Sequence, residues 1–122
     1  MSSENHTLTL DELQIRFSTE NERPVISWHG SSELQDPSDS IGGFLHSLIP
    51  AIRGKRVTMD FRLLEYMNSA TLQPLLRIMR EYNVSDVFTE ILYDANVEWQ
   101  RILFRSVAAI STTLANVSVR RV

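Results

Sequence analysis

The sequence predicts an α/β domain: a mixed, mostly parallel β-sheet of about four to five strands, about three helices mainly on one of its faces, and an antiparallel hairpin at the N-terminal end. Three observations carry this expectation. Leu13, Ile15 and Phe17 alternate with Gln14, Arg16 and Ser18, the period of a strand with one buried face. Beyond residue 38, segments of helical spacing alternate with short β-branched and aromatic runs, the order that builds parallel sheets. At 122 residues the chain fits one domain around one continuous core.

Thr7 to Leu10 reads as an earlier part of the first strand. The polar run Glu20-Asn21-Glu22-Arg23 and Pro24 is turn chemistry, so Val25 to His29 forms a second strand folded back on the first. Met1 to Asn5 reads as loose. A polar loop from Gly30 through Pro37 leads to a helix starting near Ser38 or Asp39, both good N-cap types. Ile41, Phe44, Leu45, Leu48 and Ile52 follow the spacing of a buried helical stripe. Gly42-Gly43 weakens this helix by roughly 1 kcal/mol per glycine relative to alanine. Pro50 kinks or ends it, and Gly54 is a C-terminal stop.

Val57, Met59 and Phe61 mark a third strand, and the helix after Ser69 turns Leu72, Leu75, Leu76, Met79 and Tyr82 inward. Pro74 lacks an N–H and clashes with the carbonyl four residues back, so a tight turn precedes the helix or the helix bends. Asn83 is a candidate left-handed cap. Val87 to Tyr93 reads as a fourth strand. Asp94 or Asn96 caps a helix with Trp99, Ile102, Leu103, Val107 and Ile110 as its apolar stripe, and Leu114 to Val122 supplies a last short strand.

Composition excludes several functions. A net charge of −3 with no basic patch argues against a general nucleic-acid binder. Cysteine is absent, which excludes disulfides and thiolate metal sites and is compatible with a reducing compartment. His6, His29 and His46 lack ligand spacing, so no metal is expected. No phosphate-cradling glycine loop is present, and no cofactor is expected. No apolar run approaches the roughly 20 residues of a membrane span, and no secretory signal is legible. A soluble cytoplasmic protein is the expectation.

The stretch with most functional content is Val57 to Tyr82, a strand, the polar turn Asn68-Ser69-Ala70-Thr71 and a helix. Asp60 to Leu72, reading DFRLLEYMNSATL, resembles the signature of STAS domains, the anti-sigma factor antagonists. That signature is an apolar strand, an aromatic and an apolar residue, Asp-Ser-Ser/Thr-Gly, then an apolar helix. Tyr66-Met67 matches the aromatic and apolar pair, and Ser69 falls on the serine that a partner kinase phosphorylates. Asn68 replaces the aspartate, Ala70 the second hydroxyl residue and Thr71 the glycine. The Asn68-Ser69 pair is closer to SiaC-like bacterial phosphoproteins, where the phosphorylated residue directly follows an asparagine. Ile26 to Gly30 and the acidic Glu33 are similar to the family's second strand and Gly-x-x-Asp loop. Val97 to Phe104 looks like the start of its later helix.

The resemblance implies a non-enzymatic STAS-like module switched by phosphorylation at Ser69, with Asn68, Ala70, Thr71, Gly30 and Glu33 in the partner surface. It implies a serine/threonine kinase of the anti-sigma-factor type, a protein phosphatase, and an anti-sigma factor or diguanylate cyclase downstream. If the second and third strands are parallel, Gly30 to Glu33 and Asn68 to Thr71 share the carboxyl end of the sheet. Other readings stand beside it. Ser69 would serve as an ordinary helix cap, Thr71 as a cap or turn residue and Asn68 as a turn-holding residue, in an unregulated interaction domain. A hydrolase would use Ser69 as nucleophile with His29 as its base, although the flanks of Ser69 are no Gly-x-Ser-x-Gly elbow.

Overall fold

The structure, a computed structural model, describes residues 5–19 and 22–122. Of the expected loose N-terminus, residues 1–4 lie outside this range, as do Glu20 and Asn21 of the expected turn; Asn5 opens the first strand. The chain runs β1 (Asn5–Leu10), β2 (Leu13–Ser18), β3 (Val25–Ser32), α1 (Ser38–Ser47), α2 (Ile49–Ile52), β4 (Arg56–Asp60), β5 (Leu64–Met67), α3 (Ser69–Val84), β6 (Phe88–Tyr93), α4 (Glu98–Ser111) and β7 (Val117–Arg121). Among the described residues the sheet has seven strands, ordered β1-β2-β3-β4-β6-β7, with β5 paired to β3 beside that path. The pairs β1–β2 and β2–β3 are antiparallel. All other pairs are parallel, so the mixed, mostly parallel α/β sheet with its N-terminal hairpin is as the sequence predicts.

Register puts the core on one face. Ile15 lies opposite Trp28, Phe17 opposite Ile26, Ile26 opposite Met59, and Met59 opposite Ile91. All are buried. Their neighbours Gln14, Arg16, Ser27, His29, Thr58 and Glu90 alternate onto the other face, which no helix among the described residues covers. Aromatic rings join sheet and helices: Trp28 and Phe61 are 4.8 Å apart, Phe61 and Phe104 4.9 Å, and Phe104 and Tyr93 5.4 Å. Tyr82 of α3 donates its hydroxyl to the Leu45 carbonyl of α1 at 2.6 Å. Burial, helped by the charge of Glu81, raises the pKa of that phenol.

Several local expectations differ. Thr7 to Leu10 belongs to β1, a strand of its own, because Asp11 takes a left-handed φ of 53° and reverses the chain between Leu10 and Leu13. Leu64–Met67 is a further strand whose buried, exposed, exposed, buried order carries no period-2 signal. Pro37, not Ser38 or Asp39, occupies the cap position of α1, and Val97, not Asp94 or Asn96, that of α4. Asp94 instead accepts the Asn96 amide at 2.9 Å, closing a turn before the helix. The left-handed residue after α3 is Asp86, with φ 63°. Asn83 stays helical, and its Oδ1 accepts the Asn116 amide at 2.9 Å.

The buried line of α4 is Gln100, Phe104, Val107 and Ser111, rotated from the expected stripe, and Ile102 is 58% exposed. Gln100 is tolerated inside because both ends of its side-chain amide are hydrogen-bonded to backbone. Its Nε2 donates to the carbonyls of Phe61 at 2.9 Å and Leu64 at 3.0 Å, and its Oε1 accepts the Asp94 amide at 2.8 Å.

Candidate functional site

The site forms where β3 and β5 end together. Gly30 has φ +80°, and a Cβ there would lie 1.9 Å from the Glu12 carbonyl oxygen, so only glycine fits. The register shifts between Gly30 and Ser31. β3 pairs with β5 on both sides of that shift, Gly30 opposite Leu64 before it, Ser31 opposite Tyr66 and Ser32 opposite Met67 after it. The expected strand end at His29 is therefore exceeded by three residues, Gly30 to Ser32.

From this platform the chain enters α3 through a closed set of hydrogen bonds. The Asn68 amide donates to the Ser32 carbonyl at 3.1 Å. Asn68 Nδ2 donates to the Leu34 carbonyl at 2.9 Å, while its Oδ1 accepts the Thr71 amide at 3.1 Å and the Thr71 hydroxyl at 2.7 Å. Thr71 Oγ1 and Ser32 Oγ are 2.5 Å apart. Because the single hydroxyl proton of Thr71 is engaged by Asn68, Ser32 is the donor in this pair. Asn68 is the N-cap of α3, in extended backbone. Ser69 is the first helical residue, exposed, and its hydroxyl makes no hydrogen bond among the described residues.

The structure thus places the expected partner-surface residues at one end of the sheet, while His29 stands apart from them. Gly30 and Glu33 lie at the end of β3 and Asn68 to Thr71 opposite them. Glu33 is exposed and Ala70 half-buried. Thr71 is fully buried, so its contribution to any partner surface is to hold the turn. Ser69 does not cap its helix, since Asn68 does. Pro74 lies inside α3, and the opening turn is tight, with the Thr71 amide also reaching the Asn68 carbonyl at 3.2 Å. Ser32 and the Leu34 carbonyl are the participants that sequence reasoning missed. Small polar residues after Gly30 read as loop, and only the partner strand shows them to be sheet.

On the β3 side the turn borders a shallow hollow lined by Asp11, Glu12, Ser31, Glu33 and Leu34, where Ser31 donates to Glu12 at 3.3 Å. His29 does not join the site. It lies on the uncovered sheet face, with Nε2 and Ser27 Oγ 3.0 Å apart, so the Ser69–His29 pair required of a nucleophile and base is not made. Partial burial and the nearby Arg16 lower the His29 pKa, against an opposing pull from Asp60. Asp60 itself is pushed upward by burial, but hydrogen bonds and charge from Arg62, with a smaller contribution from His29, bring it below the usual carboxylate value. Among the described residues no group of three or more histidine, cysteine or acidic side chains is placed to hold a metal ion, and no helix is long and apolar enough to cross a membrane.

No protein-family model and no curated protein matches the sequence. Solved structures do match the fold. An anti-sigma factor antagonist from Mycobacterium paratuberculosis aligns over 96% of this chain and 86% of its own, with a TM-score of 0.55 and 10% identity. SiaC of Pseudomonas aeruginosa aligns over 100% of both chains, with a TM-score of 0.63 and 14% identity. The chain therefore shares its fold, of STAS type, with an anti-sigma factor antagonist and with SiaC.

Proposed function

We propose that the protein is a phosphorylation-switched interaction module of bacterial cytoplasmic signalling, with Ser69 as phosphoacceptor. The observation that carries this reading is the exposed, unbonded hydroxyl of Ser69 at the first position of α3, on a turn whose other polar groups are pinned. A kinase can reach it without unfolding the turn. The first amides of a helix have no carbonyl within it to bond, and the positive end of the helix dipole stabilises an anion by about 0.3–1 kcal/mol. Phosphorylation adds about −1.5 to −2 charge, so the fold tolerates a group that a docked partner would have to desolvate. The partners proposed are a serine/threonine kinase of the anti-sigma-factor type, an opposing phosphatase, and an anti-sigma factor or diguanylate cyclase as target. Glu33, Asn68 and Ala70 would border the contact.

The test is incubation with ATP and such a kinase, followed by mass-spectrometric location of the phosphate. Ser69→Ala should abolish labelling; labelling equal to wild type would overturn the assignment. Ser69→Asp should weaken target binding by about tenfold or more, a loss of about 1.4 kcal/mol, with the melting temperature nearly unchanged. Equal affinity in that variant would leave an unregulated interaction domain.

A further inference from the structure

We infer that the outer edge of β1 pairs with β1 of a second copy of this chain, antiparallel about a two-fold axis at Leu8, so that the two sheets join. The strand order leaves two edges, β1 and β7. Edge strands escape pairing by carrying charge, proline or a bulge. On β7, Arg120 and Arg121 are both exposed. By contrast β1, reading NHTLTL, has no Lys, Arg, Asp, Glu or Pro, and its pairs with β2 run from Asn5 to Leu10 without a break in register. Among the described residues nothing occupies its outer side.

Hydrogen-bond parity decides which backbone groups are free. The Ser31 amide donates to the Glu12 carbonyl at 3.3 Å, so Gln14 and Arg16, further along the same strand and opposite His29 and Ser27, also bond toward β3. The residues between them, Leu13, Ile15 and Phe17, then bond toward β1. Their partners Leu10, Leu8 and His6 turn N–H and C=O inward, and those of Thr7 and Thr9 face outward. Side chains fix the register. Leu8 and Leu10 lie on the helix side, half-buried against the core, whereas Thr7 and Thr9 are exposed on the open face. Opposed residues of an antiparallel pair share a face. A second β1 therefore aligns with Leu8 opposite Leu8, His6 opposite Leu10 and Thr7 opposite Thr9, which joins the free groups of each threonine to those of the other. A two-fold at Thr7 would cover polar Asn5 in place of Leu10, and one at Thr9 would pair fewer residues. The complementary strand is thus apolar at alternate positions on the helix side, hydroxyl-bearing on the open face and free of acidic or basic side chains that would meet their like. The pattern of β1 is the same, so the occupant is a second copy. This pairing does not rest on the role proposed for Ser69.

Sedimentation equilibrium of the whole protein from micromolar to millimolar concentration tests the pairing, with amide exchange followed by NMR. Pairing over His6 to Leu10 makes a small interface, so the dimer should gain population toward the upper end of that range. Exchange at Thr7 and Thr9 should slow as concentration rises, while exchange at Leu8 and Leu10 stays slow throughout. Thr7→Pro removes an outward amide, which an edge strand tolerates, and should weaken dimerisation about tenfold or more with the melting temperature nearly unchanged. Leu8→Lys and Leu8→Glu set like charges opposite each other, and each should be monomeric. Mixed, they should form a heterodimer, because position 8 faces itself. A protein that is monomeric at every concentration would overturn the inference and leave the edge to a foreign strand. So would a dimer that survives Thr7→Pro and Leu8→Lys, a dimer whose Thr7 and Thr9 amides exchange freely, or a mixture of the Lys and Glu variants that stays monomeric.

Discussion

Thr71 carries more structure than its size suggests. Its amide and hydroxyl both engage Asn68, its oxygen receives Ser32, and no part of the side chain is exposed. Thr71→Val keeps the shape, removes the hydroxyl, and leaves the buried Ser32 hydroxyl without its acceptor. The expected loss is about 1–3 kcal/mol, read from urea denaturation. Ser32→Ala combined with Thr71→Val should cost less than the sum of the two alone, because they share one bond; additivity would show that the hydroxyls act separately. From the sequence, Thr71 is legible as a turn or cap residue and Asn68 as a residue that holds a turn. Ser32 is not, because its partner is 39 positions away and nothing local marks a serine as buried.

At the scale of elements, α1 and α4 diverge from simple patterning for opposite reasons. The weak stretch Gly42-Gly43 is legible as a propensity defect. Neither glycine has a left-handed φ, and a Cβ at either would meet nothing within 4 Å. Gly42→Ala and Gly43→Ala should therefore each stabilise the protein by about 0.4–1 kcal/mol, measured as a rise in the denaturation midpoint. A fall would mean that the helix packs more closely there than it does in this structure. In α4 the period is legible but its phase is not. Apolarity favours Ile102 as an inward residue, whereas hydrogen bonds to the carbonyls of Phe61 and Leu64 hold Gln100 inside and set the rotation of the helix. Tertiary hydrogen bonding overrides hydrophobic pattern at that point. The β1–β2 division has the same character, since Asp11-Glu12 lacks the glycine that marks most two-residue hairpin turns. The alternation of strands and helices after residue 38 gave enough for the fold class, while β5 is too short to reveal itself.

For the whole molecule, the uncovered sheet face sets the response to acid. His29 has a folded pKa below the ordinary 6.5. As pH falls through that value the unfolded chain takes up the proton first, so stability present at neutral pH is lost progressively down to the folded pKa. Asp60 adds a second loss at lower pH, since its folded pKa lies below 3.8 and the unfolded state again binds the proton first. Urea midpoints should be flat above neutrality and fall on acidification, and His29→Gln should flatten the upper part of that fall. An acidic rise would contradict the burial of the ring. The Asp60→Ala variant should lower the His29 midpoint further in an NMR titration, because Asp60 is the group that opposes its depression.

The sideways step of the chain from β4 to β5 gives the molecule a distinct load path. After Asp60 the backbone leaves the middle of the sheet and rejoins it against β3 at Ser31 and Ser32. A pull on the start of α3 is therefore borne in shear by β3, and through Gly30 and Ser31 by the β1–β2 tip at Glu12. The hairpin tip at Glu12 is thus part of the anchorage of the turn.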